Sequence, residues 1–231
     1  QTDRGERTFY VQGHEERSQA LASGYPETRE ALFAYDAVVL ANAEETLLRP
    51  AQIEMTRDFV ADRGGGLLVM GARSFAARGL WETELAGVLP LEPAARIGPD
   101  DFRWSRLAGM PHRVEITQEG EGHPIMQLAA DAAVTRERWS TLSTLGNVVP
   151  MGAIRPGAVV LATGTADGGE TRSVVAVQRF GLGRAMVFAG EASWRWQMLM
   201  PSTDDTYERY WRQAARWLSA GALDPVLGPS F

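Results

Sequence analysis

The chain has 231 residues, 45% of them apolar, and a formal net charge of −6 that results from 29 acidic and 23 basic residues. All the basic residues are arginine and there is no cysteine, which excludes disulfides, thiolate nucleophiles, cysteine-ligated metals and lysine-based catalysis. The acidic balance also argues against a dedicated nucleic-acid-binding protein, because such proteins usually carry a basic face.

The size of the chain fits one globular domain, which we predict over residues 1–223. Its longest apolar runs contain about five residues, whereas a membrane-spanning helix needs roughly 20, so we expect no direct membrane insertion by this domain. The tail at 224–231 holds two prolines and a glycine, a composition typical of a linker. Together with a first residue other than methionine, this tail predicts a domain that belongs to a longer chain.

The first half of the chain contains a predicted strand–helix–strand unit. The apolar runs Asp36–Ala41 and Gly66–Met70 are typical of strands that are buried on both faces. Between them, Pro50 suits the first position of a helix, and Arg63–Gly64 suits its end. This order predicts a right-handed βαβ unit with parallel strands. An earlier strand is predicted at Thr8–Gln12.

The last third of the chain has a different pattern. Two β-rich runs, Arg172–Arg179 and Arg184–Ala189, flank a turn at Phe180–Gly183, which predicts an antiparallel hairpin at or near one edge of the sheet. A helix follows, with Ser202 or Thr203 as its cap. Its apolar stripe, which is typical of core packing, consists of Tyr207, Tyr210, Trp211, Ala214 and Leu218.

Five blocks stand out between about residues 24 and 218: Tyr35–Leu40, Pro50–Arg63, Gly64–Gly71, Gln178–Arg184 and Trp194–Trp196. Together they resemble the glutamine amidotransferase-like domains of the class I-like group. The resemblance implies a flavodoxin-like α/β fold, with a mostly parallel sheet flanked by helices and an antiparallel hairpin added near the C-terminal part. Such domains occur in large bacterial proteins that often carry von Willebrand factor A regions and membrane helices. This implies a membrane-anchored parent protein, with the domain itself in a soluble compartment.

The resemblance fails at the positions that carry the chemistry. Class I amidotransferases use a cysteine on a sharp turn after a central strand and a His-x-Glu pair after a later strand. Here the turn after Gly66–Met70 holds Gly71–Ser74, which contains no thiol. The later strand ends in Phe188–Glu191, so Ala189 occupies the histidine position and only Glu191 remains. Since the nucleophile and its base act as a unit, we expect no glutamine hydrolysis by the family mechanism.

The resemblance marks a candidate relic pocket that consists of Gly71, Ala72, Arg73, Ser74, Glu191 and Trp194. Arg73 follows a predicted strand and could clamp a carboxylate or phosphate, or form a salt bridge with Glu82 or Glu84. A Glu191–Arg73 pair would hold the pocket shut. Ser74 lies outside a G-x-S-x-G pattern, so we expect it to serve the turn rather than act as a nucleophile.

Several other side chains give weaker signals. Trp194 and Trp196 share one face at strand spacing and are typical of core, although in a loop they could stack on a sugar or a protein partner. Asp204–Asp205 suits the start of a helix better than a calcium site. The glycines at 64–66 precede a strand rather than a helix, so no phosphate-binding cofactor is expected. The histidines lack metal-ligand spacing, so no metal is expected; they are His14, His112 and His123.

We therefore predict a non-catalytic glutamine amidotransferase-like domain. Its expected partners are a small ligand, an unknown protein or neighbouring domains of the same chain, and not nucleic acid. The alternative is an unrecognised hydrolase or sugar-processing enzyme that uses Glu191, Ser74 or His123. An enzyme of that kind needs at least two of these groups within about 3 Å of each other, or bridged by one water. A third possibility is a structural spacer with no binding patch.

Overall fold

The computed structural model describes residues 24–75, 79–92 and 110–221. The helices are α1 Arg29–Phe33, α2 Pro50–Ala61, α3 Gln118–Glu121, α4 Ala132–Thr141, α5 Arg195–Met198 and α6 Thr206–Ser219. The strands are β1 Ala37–Ala41, β2 Gly66–Met70, β3 His112–Ile116, β4 Asn147–Val148, β5 Val159–Ala166, β6 Thr171–Phe180, β7 Gly183–Phe188 and β8 Gly190–Glu191. The predicted strand Thr8–Gln12, His14 and the linker-like tail at 224–231 lie outside the described residues.

Six strands form one sheet in the order β1-β2-β7-β6-β5-β3, and β4 pairs with β8 in a separate antiparallel pair. Strands β1, β2 and β7 run parallel, whereas the β7–β6, β6–β5 and β5–β3 pairings are antiparallel. The α/β class and the parallel βαβ unit are therefore confirmed. The sheet as a whole is mixed rather than mostly parallel, because each strand from β5 to β7 turns back directly onto its neighbour.

The predicted hairpin exists as β6 and β7, but it lies in the middle of the sheet and not near one edge. Strand β7 pairs with β2 on one side and with β6 on the other. The physical reason is the composition of β7, since Ala185, Met186, Val187 and Phe188 are all completely buried. A strand that is apolar on both faces is most stable where neighbouring strands flank it and other layers cover it.

The helices bury the faces that the sequence predicts. On α2, the side chains of Ile53, Thr56, Phe59 and Val60 are buried, and on α6 Tyr210, Ala214 and Leu218 are buried. The start of α6 differs from the prediction. Neither Ser202 nor Thr203 caps this helix; instead, an oxygen of Asp204 accepts a hydrogen bond from the Thr206 backbone N–H at 2.9 Å.

An aromatic cluster joins the end of β7 to the C-terminal helix. The Phe188 ring lies 5.1 Å from Trp211 and 6.0 Å from Trp196, measured between ring centroids. Tyr210 packs edge-on against Trp139 and Trp196 at 5.6 and 5.7 Å. Edge-to-face contacts of this kind add to the burial energy of large rings. The cluster therefore fixes the segment that follows β7, which is where the candidate site begins.

Candidate functional site

The carboxyl ends of three parallel strands meet at one edge of the sheet. Met70 at the end of β2 pairs with Ala41 at the end of β1 and with Phe188 at the end of β7. The residues that follow these strands therefore lie side by side. In open α/β sheets, ligands bind outside the carboxyl ends of the strands, so this edge is the first place to look for a site.

The turn after β2 requires glycine at its first position. Gly71 has φ +81°, and a Cβ atom there would lie 2.5 Å from the Oδ1 atom of Asn42. That Oδ1 atom accepts a hydrogen bond from the Arg73 backbone N–H at 3.3 Å, and the Asn42 N–H donates to the Met70 carbonyl at 2.9 Å. Asn42 thus ties the end of β1 to the turn after β2.

The hydroxyl of Ser74 stabilises the same turn. It is buried, donates a hydrogen bond to the Met70 carbonyl at 2.8 Å and accepts one from the Ala43 backbone N–H at 2.8 Å. The only proton of the hydroxyl is engaged with a carbonyl rather than a base. Ser74 therefore occupies the position of a turn residue, and this geometry does not activate it as a nucleophile.

The carboxyl group of Glu191 closes the gap between β7 and the turn after β2. Its Oε1 atom accepts a hydrogen bond from the Ala72 backbone N–H at 2.6 Å. The sequence analysis considered Arg73 as the partner of Glu191, whereas this donor belongs to the preceding residue. Burial raises the pKa of Glu191, and the bond from Ala72 lowers it by a smaller amount. The other oxygen, Oε2, accepts no hydrogen bond from the residues that the structure describes.

Asn147 lies directly opposite Glu191 in the β4–β8 pair. Side chains of directly opposed residues in an antiparallel pair lie on the same face, so the Asn147 amide and the Glu191 carboxyl share one side of the pair. Asn147 is only 2% exposed, and neither its Nδ2 nor its Oδ1 atom has a hydrogen-bond partner among the described residues. Buried amides are almost always bonded, so this residue is an exception that calls for an explanation.

Two residues other than glycine have a positive φ angle in the described part of the chain, and both lie at this edge. Asn42 has φ 53° and follows β1, and Ala192 has φ 61° and follows β8. Asparagine tolerates this region of backbone space, but alanine pays for it in strain. Strained residues of this kind are concentrated at ligand-binding and catalytic sites.

The two tryptophans after β8 have different environments. Trp196 is completely buried, and its Nε1 atom donates a hydrogen bond to the Ser143 carbonyl at 2.8 Å. Trp194 is 54% exposed, with the Arg195 guanidinium 5.9 Å from its ring centroid. Core packing therefore describes Trp196, while Trp194 presents an open aromatic surface at the margin of the site.

His123 lies near the amino ends of the parallel strands, opposite to the end where Glu191 stands. Its ring packs 5.4 Å from Trp217, its Nδ1 atom accepts a hydrogen bond from the Ile125 N–H at 3.3 Å, and burial followed by the charge of Arg184 lowers its pKa. Arg184 stands near the start of β7, whereas Glu191 follows the end of that strand. His123 therefore does not join Glu191 and Ser74 in one constellation.

The remaining weak signals also have structural roles. His112 is buried on β3, and its Nδ1–H donates to the Met110 carbonyl at 2.7 Å. Asp205 contacts Arg138 at 2.7 Å and Arg209 at 2.5 Å. Glu84, one of the partners considered for Arg73, pairs with Arg57 at 2.6 Å. Across residues 24–75, 79–92 and 110–221, no group of three or more His, Cys, Asp or Glu residues could hold a metal ion. In the same ranges no helix is long and apolar enough to cross a membrane.

Comparison with known proteins identifies the family of this chain and structures with a similar fold. A family model described as "Putative glutamine amidotransferase" matches residues 8–220. The chain belongs to this family. Cytoplasmic protein STM3548 of Salmonella typhimurium is similar in structure, with a TM-score of 0.58 and 18% identity over 84% of this chain and 76% of that protein. Cytoplasmic protein STM1381 of Salmonella typhimurium LT2 has a TM-score of 0.59 and 19% identity over 94% of this chain and 93% of its own. A search of curated protein sequences found no significant match.

For this family of glutamine amidotransferase-like proteins, the sequence resemblance predicts that Gly71–Ser74 and Ala189 stand where class I enzymes carry their thiol and imidazole. Gly71–Ser74 follows β2, and Ala189 follows the adjacent parallel strand β7. Ala189 is buried, and its backbone bonds to Val174 and Val149 at 2.8 and 2.9 Å. These two segments therefore lie side by side, and their side chains include a hydrogen-bonded serine hydroxyl and a buried alanine methyl group.

Sequence reasoning missed three residues of this site: Asn147, Ala192 and Arg195. Nothing in a two-residue strand such as β4 or β8 produces a periodic pattern, and the sign of a φ angle at alanine is not visible in a sequence. Arg195 lay between the two tryptophans that were considered, but its orientation depends on the fold of α5. A useful signal would have been the position of Arg195 between two tryptophans, four residues after Glu191.

Proposed function

We propose that this domain is a non-catalytic glutamine amidotransferase-like module that binds a ligand or a protein within a larger, membrane-associated bacterial protein. The observation that carries this proposal is the bond between Glu191 and the Ala72 N–H. The carboxylate that would orient a catalytic imidazole in an active relative instead closes the turn where a nucleophile would stand.

The chemistry of the remaining groups supports a role without turnover. Acyl transfer through a glutamyl thioester needs a thiol and an adjacent base, and the chain contains no cysteine. The methyl group of Ala189 cannot move a proton. The Ser74 hydroxyl donates a hydrogen bond to a carbonyl and accepts one from the Ala43 N–H. Two parts of the machinery, the thiol and its adjacent base, would have to be supplied together for hydrolysis by this route to occur.

Binding is supported by two groups at the carboxyl ends of the strands that are available for contact with a ligand. Glu191 keeps one oxygen for another partner, and Trp194 exposes about half of its surface. The strained Ala192 lies between them. A structural spacer has no need for backbone strain and an exposed aromatic ring at the ligand-binding edge of an α/β sheet, so we rank a binding role above a spacer role.

The membrane-associated parent protein is supported by the family resemblance of the sequence. Domains of this type occur in large bacterial proteins with membrane helices, and the partners of such a domain include neighbouring domains of the same chain. This part is tested by reading the coding sequence on both sides of the segment and locating the full-length product by membrane fractionation. A full-length product that stays entirely in the soluble fraction would contradict it.

The non-catalytic part is tested by incubating the purified chain with L-glutamine and measuring released ammonia and glutamate. We expect no release above that of buffer alone, and the same result for Glu191→Ala and Ser74→Ala. Turnover by the wild-type chain that disappears in either variant would overturn the proposal. The same incubation with chromogenic ester and glycoside substrates tests the hydrolase alternative.

A further inference from the structure

Strand β1 leaves one side of the sheet open. It is an outermost strand, and among the described residues it pairs with β2 alone. The Asp36 carbonyl accepts a hydrogen bond from the Gly66 N–H at 3.0 Å, and the Asn42 N–H donates to the Met70 carbonyl at 2.9 Å. Because backbone groups alternate in direction along a strand, the even-numbered residues of β1 face β2. The backbone N–H and C=O groups that point away from β2, and that bond to no described residue, are those of Ala37, Val39 and Ala41.

The composition of β1 is that of an interior strand. Its sequence, Ala-Val-Val-Leu-Ala, is apolar at every position, which is typical of strands that have neighbours on both sides and layers on both faces. Val39 is nevertheless 55% exposed, whereas Leu68, its partner on β2, is 4% exposed. A further strand at this edge would remove more apolar surface of β1 from water, which is favourable.

The two outermost strands of the sheet differ in how they are protected. Natural edge strands resist unwanted pairing through charged residues, prolines or bulges. Strand β3, at the far side, carries the exposed Arg113 and Glu115, and its first residue, His112, also pairs with Leu145. Strand β1 contains neither a charged residue nor a proline, and its register with β2 has no bulge. An apolar edge without these features is a ready site for the addition of a strand.

The edge of β1 specifies the chemistry of its partner. Its outward N–H and C=O groups repeat along an extended line, and another extended strand presents matching groups at the same spacing. The side chains of that strand would lie beside those of β1 on both faces of the sheet, so about five consecutive apolar residues are required. Outside the described ranges, the longest apolar runs of this chain contain three residues, at 9–11 and 20–22. The matching strand therefore comes from outside these 231 residues.

A second copy of the chain matches this edge less well than a strand of the same polypeptide. Two copies joined through β1 would share an edge of five residues, whereas stable interfaces between proteins bury about 1,200–2,000 Å². A strand that is covalently connected to the domain does not need such an area, because the connection gives it an effective concentration of about millimolar. The edge therefore fits a strand of the parent protein.

Helix α1 indicates where in the parent protein this strand lies. The helix leads into β1 and packs against α2, with the Phe33 and Phe59 rings 6.1 Å apart and Arg29 bonded to Asp58 at 2.8 Å. Both helices therefore cover the same face of the sheet. Since strand–helix–strand connections between parallel strands are right-handed, a strand that enters β1 through α1 lies on the side of β1 away from β2. That side is the open edge, and the strand there runs parallel to β1.

We propose that the open edge of β1 binds an extended, apolar strand from the part of the parent protein that precedes residue 1. The inference rests on the proposed function, which places this domain in a larger protein. The added strand bonds to the backbone of Ala37, Val39 and Ala41. Because it is parallel to β1, it ends beside Asn42 and contributes residues of the parent protein to the candidate site at the strand ends.

Amide hydrogen exchange, measured by mass spectrometry with fragmentation to single residues, compares the 231-residue chain with the full-length product. In the chain alone, the N–H groups of Val39 and Ala41 should exchange fast, whereas that of Leu40, which faces β2, should exchange slowly. In the full-length product, exchange at Val39 and Ala41 should slow at least about tenfold. Strand β2, which is paired on both sides, is the internal control and should exchange slowly in both proteins.

Each other exchange result overturns the inference in a recognisable way. Slow exchange of Val39 in the chain alone, at every protein concentration, would show that a segment within these 231 residues covers the edge. Slow exchange that appears only as the concentration rises, together with a dimer in light scattering, would identify a second copy as the partner. Fast exchange of Val39 in both proteins would show that the edge stays open. A coding sequence without an apolar run of about five residues before residue 1 would remove the strand itself.

Two proline variants are matched in composition and differ in the direction of the N–H that is lost. In the 231-residue chain, Leu40→Pro removes a bond to β2 and should destabilise more than Val39→Pro, whose N–H points outward. In the full-length product, Val39→Pro should restore fast exchange at Ala41 while β2 stays slow. Slow exchange at Ala41 in that variant would contradict pairing at this edge. Val39→Lys, which keeps the N–H and adds a charge to the edge, repeats the test if β2 also exchanges fast in Val39→Pro.

The outcomes for the added strand and for the proposed function are distinguishable. A full-length product in the soluble fraction, with slow exchange at Val39, would contradict the membrane association and support the strand. A membrane-bound product with fast exchange at Val39 would overturn the strand alone. Release of ammonia from glutamine would overturn the non-catalytic role whatever the exchange result.

Discussion

The Oε1 atom of Glu191 lies 2.6 Å from the backbone nitrogen of Ala72, although 119 positions separate the two residues in the chain. The contact forms because β2 and β7 are adjacent and parallel, so the residues after Met70 and Phe188 leave the sheet together. It joins the turn after β2 to the glutamate that follows β7. Most of the behaviour we expect at this edge follows from that junction.

The first prediction concerns the pH dependence that Glu191 adds to stability. Its pKa in the folded state is raised by burial above the ordinary value of 4.5. The unfolded state therefore loses the proton first, and stability is lost as pH rises from below 4.5 through the folded pKa. Glu191→Gln removes this titration while keeping an oxygen that can accept the Ala72 N–H.

We expect the free energy of unfolding of Glu191→Gln to increase relative to that of the wild type as pH rises from 4 to 7. Urea unfolding at unit pH intervals measures it, with Glu119→Gln on the exposed surface of α3 as the control. A difference between Glu191→Gln and the wild type that stays constant, or shrinks as pH rises, would contradict the raised pKa.

The second prediction concerns the glycine that opens the turn after β2. Gly71 and Gly157 have nearly the same φ angle, +81° and +84°, but a Cβ atom on Gly157 meets nothing within 4 Å. Gly157→Ala should therefore cost on the order of 1 kcal/mol, because about 1–2 kcal/mol of backbone strain is partly offset by about 0.4–1 kcal/mol from the reduced freedom of the unfolded chain. Gly71→Ala should cost a further 1–3 kcal/mol, because its Cβ would overlap the Asn42 side chain.

Chemical denaturation of the two glycine variants gives both free energies. Equal destabilisation would show that Asn42 moves aside at no cost, and the tight turn would then not depend on this contact. A larger loss for Gly71→Ala that is partly recovered by adding Asn42→Gly would locate the cost at this pair of residues.

The sequence predicted the local elements of this fold well and their assembly less well. The predicted strand Gly66–Met70 has the same first and last residues in the structure, because glycines precede it and the run that follows is wholly apolar. The hairpin of β6 and β7 was predicted from its glycine-containing turn. Its central place was not, since the pairing of β7 with β2 joins segments more than a hundred residues apart, and no local pattern encodes it.

The candidate site shows the same division between local and distant information. Glu191 and the turn at Gly71–Ser74 were predicted as site residues because the family resemblance marks them, and the structure joins them through the Ala72 N–H. Trp194 and Trp196 were expected on one face because strands alternate every two residues. They belong to the start of a short helix instead, where two residues span about 200°, and so one ring is buried and the other exposed.

The third prediction concerns the bonded hydroxyl of Ser74. Ser74→Ala leaves the buried Ala43 N–H and one lone pair of the Met70 carbonyl without their partner. An unsatisfied buried donor costs about 1–3 kcal/mol. Ser140→Ala, which removes an exposed hydroxyl from α4, should stay within about 0.5 kcal/mol of the wild type. Urea unfolding compares the two variants, and a neutral Ser74→Ala would refute the structural role.

The last prediction concerns the strained alanine after β8. Ala192 has φ 61°, a conformation in which a residue with a Cβ atom is destabilised by about 1–2 kcal/mol relative to glycine. Glycine in turn costs about 0.4–1 kcal/mol through the greater freedom of the unfolded chain. Ala192→Gly should therefore stabilise the fold by up to about 1 kcal/mol.

In an unstrained helix the same substitution has the opposite sign, so Ala215→Gly on the exposed side of α6 should destabilise by about 1 kcal/mol. Thermal and urea unfolding measure both variants side by side. Destabilisation by Ala192→Gly equal to that of Ala215→Gly would show that the backbone after Glu191 carries no strain.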